Sequence, residues 1–159
     1  MKQIIGRKIG MTQVFATDGT SYAVTGAIDW SVLWIALPVG LITDGILHSN
    51  NTRDVITDKR AGITTMAMGI GSKASAWLYA FEIIFPYVWV CVCSIIGILP
   101  FTAFAVLLTL PIAMKCVKPM IHSLGKDSGV IADLDMKTAQ LQLAFSLLLT
   151  IALVIGKFI

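Results

Sequence analysis

Charge is what this chain has least of. Asp, Glu, Lys and Arg together make up 13% of its 159 residues, against roughly 25% in ordinary soluble domains. That shortage excludes a disordered tail and most soluble enzymes. The basic excess is slight, 12 Lys and Arg against 9 Asp and Glu, so no nucleic-acid partner is expected. Cysteine is scarce too. Cys91, Cys93 and Cys116 give no disulfide framework, and Cys91-Val92-Cys93 has the wrong spacing for a zinc or thioredoxin-like motif. All three read as small packing residues. Met1 to Thr25 is polar and lacks the apolar core of a secretory signal.

What is abundant is apolar surface. Hydrophobic residues reach 57% and the mean hydropathy is +0.84. They arrive in blocks of about 20 residues, the length a helix needs to cross a bilayer core of about 30 Å. Four such blocks stand out, roughly 27–48, 74–97, 98–114 and 140–158. The second and third meet near Pro100 and form a tight hairpin. The expected fold is an all-α polytopic membrane helix bundle of about four transmembrane helices, with a short β-like N-terminal leader. In the leader, Gln3–Ile5, Thr12–Phe15 and Tyr22–Val24 alternate like strands around an Asp18-Gly19 turn signal.

The charges that do occur sit between the blocks. Arg53, Lys59, Arg60 and Lys73 lie in one connection, Lys115, Lys118, Lys126 and Lys137 in or beside the other, and none in the hairpin turn near Leu99. The positive-inside rule places both basic connections in the cytoplasm and the turn outside.

The stretch richest in chemistry is His48-Ser49-Asn50-Asn51-Thr52-Arg53-Asp54-Val55-Ile56-Thr57-Asp58-Lys59-Arg60-Ala61-Gly62. Asn50, Asp54 and Asp58 recur every fourth residue. At about 100° per residue they drift only about 80° around a helix. Asn51 and Asp44 fall within or just beyond that arc. Two carboxylates on one face repel unless a cation joins them, and such a sparse set of hard oxygens suits Mg²⁺ shared with substrate phosphates. Arg53, Lys59 and Arg60 beside them suit phosphate oxygens. A solvated loop with balanced charges explains the same composition. Asp44 and His48, one turn apart, could pair locally; Glu82 lies deep in the second block, where charge is costly. His122 reads as a solvated loop residue. Trp30, Trp34, Trp77 and Tyr79 suit interfacial anchoring; Phe85, Tyr87 and Trp89 read mainly as packing, with an apolar tail or a cation–π contact to a carbocation as the alternative. Pro38, Pro86 and Pro111 are expected to kink their helices.

The pattern from Asn50 and Asn51 through Arg53, Asp54 and Asp58 to Gly62 and Thr65 resembles the second aspartate-rich motif of the UbiA-type intramembrane prenyltransferases. It is nearest the branch that prenylates 1,4-dihydroxy-2-naphthoate in menaquinone synthesis. Leu134-Asp135-Met136-Lys137-Thr138-Ala139-Gln140-Leu141-Gln142-Leu143-Ala144-Phe145 resembles the start of that branch's last helix. The resemblance implies the C-terminal half of a nine-helix bundle over residues 26–159. It implies Mg²⁺ held by Asp54, Asp58 and Asn50, with Arg53, Lys59, Arg60 and Asn51 on the diphosphate. Asp54 and Asp58 would be the catalytic pair. The implied substrates are a polyprenyl diphosphate and an aromatic acceptor, and the implied site is a bacterial inner (plasma) membrane, aspartate-rich loop to the cytoplasm.

Two departures stand out. Gly62-Ile63-Thr64-Thr65 has no lysine where relatives of that family carry Gly-Lys, and no second aspartate-rich motif is present; Asp133 and Asp135 are only two apart. Four helices leave a long prenyl chain without a closed cavity, so this chain alone is expected to be inactive. Met1–Thr25, with Gly6-Arg7-Lys8 and Gly10-Met11-Thr12-Gln13-Val14-Phe15, resembles instead the N-terminus of bacterial large-subunit ribosomal protein three, and residues 1–25 are read as a foreign leader. The rival readings are a non-enzymatic membrane fragment and, on the leader alone, a ribosomal component.

Overall fold

In the computed structural model the described residues are 12–15, 21–24, 31–124 and 128–158, with the side chains of 32–124 and 128–158. The expected strand at Gln3–Ile5, the turn at Asp18-Gly19, Trp30 and Lys126 lie outside them. The chain divides into two compact units, Met1–Val32 and Leu33–Ile159, each taken by itself.

The first unit carries an antiparallel pair, β1 (Thr12–Phe15) and β2 (Ser21–Val24), with Thr12 opposite Val24 and Phe15 opposite Ser21. Two of the three strands expected from alternation are thus formed and paired.

The helical unit is built on four membrane-length helices. α1 (Ser31–Arg53) is followed by the short α2 (Val55–Arg60) and α3 (Met66–Ile70), then α4 (Ser72–Ile95). The third span starts as a 3₁₀ stretch, Phe101–Thr109, and continues as α5 (Leu110–Ser123); α6 (Leu134–Gly156) closes the chain. An integral membrane protein follows from four helices of this length and hydropathy.

The helices overrun the apolar blocks at their polar ends, because burial rather than hydropathy fixes their length. α1 continues past His48 since Ser49 and Thr52 are buried. α5 continues past Met114 since Cys116, Val117 and Met120 turn inward while Lys115 and Lys118 stay outside. His122 therefore stands in the last turn of α5, not in a loop. α6 begins six residues early because Leu134 and Thr138 are buried. Pro111 stands in the first turn of α5, where its missing N–H costs little; the change from 3₁₀ to α winding falls there rather than a kink.

α4 runs through the middle, packed on the third span, which in turn carries α6. Tyr79, Ile83 and Val90 from α4, Val106, Ala113 and Met120 from the third span, and Leu141, Phe145 and Leu149 from α6 form the core. Single hydrogen bonds lock neighbours. The Tyr79 and Thr138 hydroxyls are 2.7 Å apart, as are those of Tyr87 and Thr109. Thr102 donates to the Ala152 carbonyl at 2.6 Å. Tyr79 is thus a core residue, not an interfacial anchor, because its ring is fully buried between helices. Trp34 stacks on Trp89 at 5.3 Å, and Trp89 donates to the Trp34 carbonyl at 3.0 Å. Trp77 is exposed, as an anchor should be. Cys93 and Cys116 are buried and Cys91 half-buried, all with free thiols.

Helices approach closely where side chains vanish. A Cβ on Gly156 would sit 2.6 Å from Pro100 Cγ and 2.8 Å from Thr102 Oγ1, so the end of α6 lies against the start of the third span. The α4–α5 turn, with Gly97 at φ 80°, therefore shares its end of the bundle with the α6 C-terminus. The two basic connections meet at the other end, where Arg53 reaches Ala132 and Asp135.

Candidate functional site

Asn50, Asp54 and Asp58 form one helical ridge. α1 ends at Arg53, Asp54 makes a turn, and α2 starts at Val55. The four-residue hydrogen-bond repeat nonetheless carries through the break: Asp54 N–H donates to the Asn50 carbonyl at 3.0 Å and Asp58 N–H to the Asp54 carbonyl at 2.8 Å. The spacing argument is therefore realised in the backbone.

The ridge continues the uncovered side of α1. Leu33, Ala36, Gly40, Thr43 and Leu47 recur every third or fourth residue below Asn50 and are exposed, as is Asp44 beside them. The opposite side, with Ile42, Gly45, His48 and Thr52, is buried. Asn50, Asn51, Asp54 and Asp58 are half-buried. The side chains of Asn51, Asp58, Lys59 and Arg60 make no hydrogen bond or ion pair among the described residues, so they are available to a ligand.

Arg53 is not. A guanidinium has five N–H donors, and five acceptor contacts surround this one. Nε donates to Asp54 Oδ1 at 2.9 Å and Nη2 to Asp54 Oδ2 at 3.0 Å. Nη2 also donates to Asn50 Oδ1. Nη1 donates to Asp135 Oδ2 at 2.7 Å and to the Ala132 carbonyl at 3.0 Å. Hydrogen bonding from Arg53 holds the Asp54 carboxyl below its ordinary value, with partial burial opposing; Asp54 is a carboxylate at neutral pH. Asp135, set aside in the sequence for lacking a motif, thus joins the aspartate ridge across 82 residues. A lone Asp in the first turn of a helix carries no such signal.

Behind the ridge, α1 is pinned to α4 by a buried polar chain. His48 Nδ1 lies 2.9 Å from both Glu82 carboxyl oxygens, and Nε2 lies 2.7 Å from Ser75 Oγ. Ser75 Oγ is 2.7 Å from Thr52 Oγ1, which donates to the His48 carbonyl at 2.8 Å. All four residues are at most 3% exposed. The expected Asp44–His48 pair is not formed, because Glu82 on α4 takes the imidazole; Asp44 faces outward without a hydrogen bond or ion pair among the described residues. Counting hydrogens fixes the net charge of the pair. Thr52 spends its proton on the carbonyl, so Ser75 must donate to Thr52 and His48 Nε2–H to Ser75. The His48–Glu82 contact needs one more proton, on either partner, and the pair is then neutral overall. A neutral pair is what a membrane interior tolerates.

A cavity of about 270 Å³ opens beside the ridge, lined by Thr52, Arg53, Ile56, Met68 and Ser72 among others. It flanks Arg53 rather than the carboxylate face. No group of three or more His, Cys, Asp and Glu capable of holding a metal occurs among the described residues. The ridge offers the unengaged Asp58 carboxylate and Asn51 amide together with the remaining lone pairs of Asp54 and Asn50, whose oxygens already accept from Arg53; so sparse a set fits a Mg²⁺ that keeps waters and shares phosphate oxygens, and does not fit a closed protein cage.

The sequence profile of the UbiA prenyltransferase family matches residues 9–129, well over half of the chain. This chain belongs to the UbiA prenyltransferase family. It is 32% identical over 135 residues to the 1,4-dihydroxy-2-naphthoate octaprenyltransferase of Bacillus subtilis (strain 168), covering 84% of this chain and 42% of that protein. It is 36% identical over 124 residues to the UbiA prenyltransferase domain-containing protein 1 of Gallus gallus, covering 77% and 34%. It is 52% identical over 63 residues to the Drosophila melanogaster homolog of that protein, covering 40% and 18%. The chain thus spans less than half the length of these relatives, which come from a bacterium and from animals.

Proposed function

We propose that this chain carries one metal–diphosphate wall of an intramembrane aromatic prenyltransferase. The Asn50–Asp54–Asp58 ridge at the polar end of an uncovered α1 face supports this reading. That face bears Asp44 at membrane depth, a cost that lipid would not repay, so a protein or substrate surface is its natural cover. The longer relatives suggest where the cover comes from: the remainder of a bundle of which this chain is a part.

Asp54 and Asp58 would hold Mg²⁺, with the Asn50 and Asn51 amides in support. Bound there, the ion would stabilise the departing diphosphate as a Lewis acid. Lys59 and Arg60, whose charges are unspent, would take phosphate oxygens; Arg53, with its donors engaged, leaves that task to them. The lipid tail would lie along the apolar face of α1, and the acceptor would be an aromatic ring such as 1,4-dihydroxy-2-naphthoate, by likeness to the Bacillus subtilis relative. The membrane would be a plasma membrane in a bacterium, with the basic end in the cytoplasm.

Titration calorimetry of the detergent-solubilised chain with farnesyl diphosphate and Mg²⁺ tests the binding half of this proposal. Heat that requires Mg²⁺ and is lost in Asp54→Asn and in Asp58→Asn is the expected result. Binding indifferent to Mg²⁺ or to both substitutions would sink it.

A further inference from the structure

We infer that Arg53 and Asp135 are positioning residues: a clasp that sets the aspartate ridge against the start of α6. The inference rests on the reading of the ridge as a metal–diphosphate wall. The evidence is the donor count and its direction. Three of the Arg53 contacts go to the ridge itself, two to Asp54 and one to Asn50; the other two reach across to Asp135 and the Ala132 carbonyl. Asp135 is fixed in turn, because its other oxygen accepts the Met136 N–H at 2.9 Å and it stands in the first turn of α6, where a carboxylate is favoured. The guanidinium is 24% exposed and its carboxylate partners 30–35%, so the clasp sits at the rim of the helical unit. The break between α1 and α2 falls at Asp54, the point where a ridge left to itself would fray. A planar, fork-shaped donor can tie Asn50 and Asp54 to Asp135 at once, and a lysine cannot.

Hydrogen exchange on the full chain in micelles reads the clasp without metal or substrate. The reporters are the amides of Asp54 and Asp58, whose acceptors are the Asn50 and Asp54 carbonyls. Asp135→Asn should speed their exchange about tenfold, a value kept modest by partial exposure, while Ile83 and Val90 in α4 stay as in the wild type. Asp135→Glu should restore exchange to within about threefold. Mn²⁺, a paramagnetic stand-in for Mg²⁺, should bind Asp135→Asn more weakly by a similar factor. If Mn²⁺ does not bind the wild type, the proposed function fails and the exchange rates alone decide the clasp. Unchanged rates at Asp54 and Asp58, faster exchange throughout α4, or tighter Mn²⁺ binding in Asp135→Asn would each overturn it.

Discussion

Replacing Glu82 by Ala and by Gln separates the charge assignment of the buried chain from its mere existence. Glu82 is 2% exposed and holds His48 Nδ1 with both carboxyl oxygens. Glu82→Ala would leave the imidazole nitrogen without a partner, about 1–3 kcal/mol. It would also leave a void where the side chain stood, and breaking a buried pair of this kind costs about 3–5 kcal/mol. A Gln amide can instead donate to Nδ1 of a neutral imidazole, leaving Nε2–H for Ser75. The hydrogens of His48, Ser75 and Thr52 are then all still used, so the loss in Glu82→Gln should stay within about 1 kcal/mol. The assay is equilibrium unfolding in mixed micelles, by SDS titration followed by far-UV circular dichroism. If Gln costs as much as Ala, the shared proton sits on the imidazole and Glu82 serves as a carboxylate, which a Gln amide cannot replace. If Ala costs under about 1 kcal/mol, against the loss expected for an orphaned buried group, the chain does not pin α1 to α4 at all.

Steric consequences follow from two glycines. Gly156→Ala should destabilise the chain by about 1–3 kcal/mol through overpacking against Pro100 and Thr102. Gly40→Ala, which meets nothing within 4 Å, should be neutral or slightly stabilising in the same unfolding assay. The Asp54 carboxyl is held low by Arg53. A lowered native value contributes stability above the ordinary carboxyl value of 3.8, lost as pH falls through the native one. Corrected for intrinsic rates, amide exchange at Asp58 should therefore be flat from neutral pH to about 4 and rise only below. The effect should be small, because the side chain is 35% exposed. A rise already at about pH 6 would show that Asp54 is not the group responsible.

Much of the architecture is legible in the order of residues. Four apolar blocks give four spanning helices because a bilayer leaves a backbone few other ways to satisfy its N–H and C=O groups. The Asn50–Asp54–Asp58 ridge is legible for the same reason: the helical period is fixed by backbone geometry and needs no partner. The β1–β2 pair is likewise announced by its alternation. Contacts between helices are not legible. Nothing local to His48 says whether Asp44, one turn away, or Glu82, 34 residues away, will take its imidazole; the packing of α1 on α4 decides. The same holds for Arg53, whose sequence setting beside Asp54 and Lys59 reads as a phosphate site. Only the return of α6 to the α1 end brings Asp135 and the Ala132 carbonyl within reach and spends its last donors. Periodicity determined which residues share a face. Tertiary structure decided which of them remain free to bind, because a donor already held by the fold has nothing left to offer a ligand.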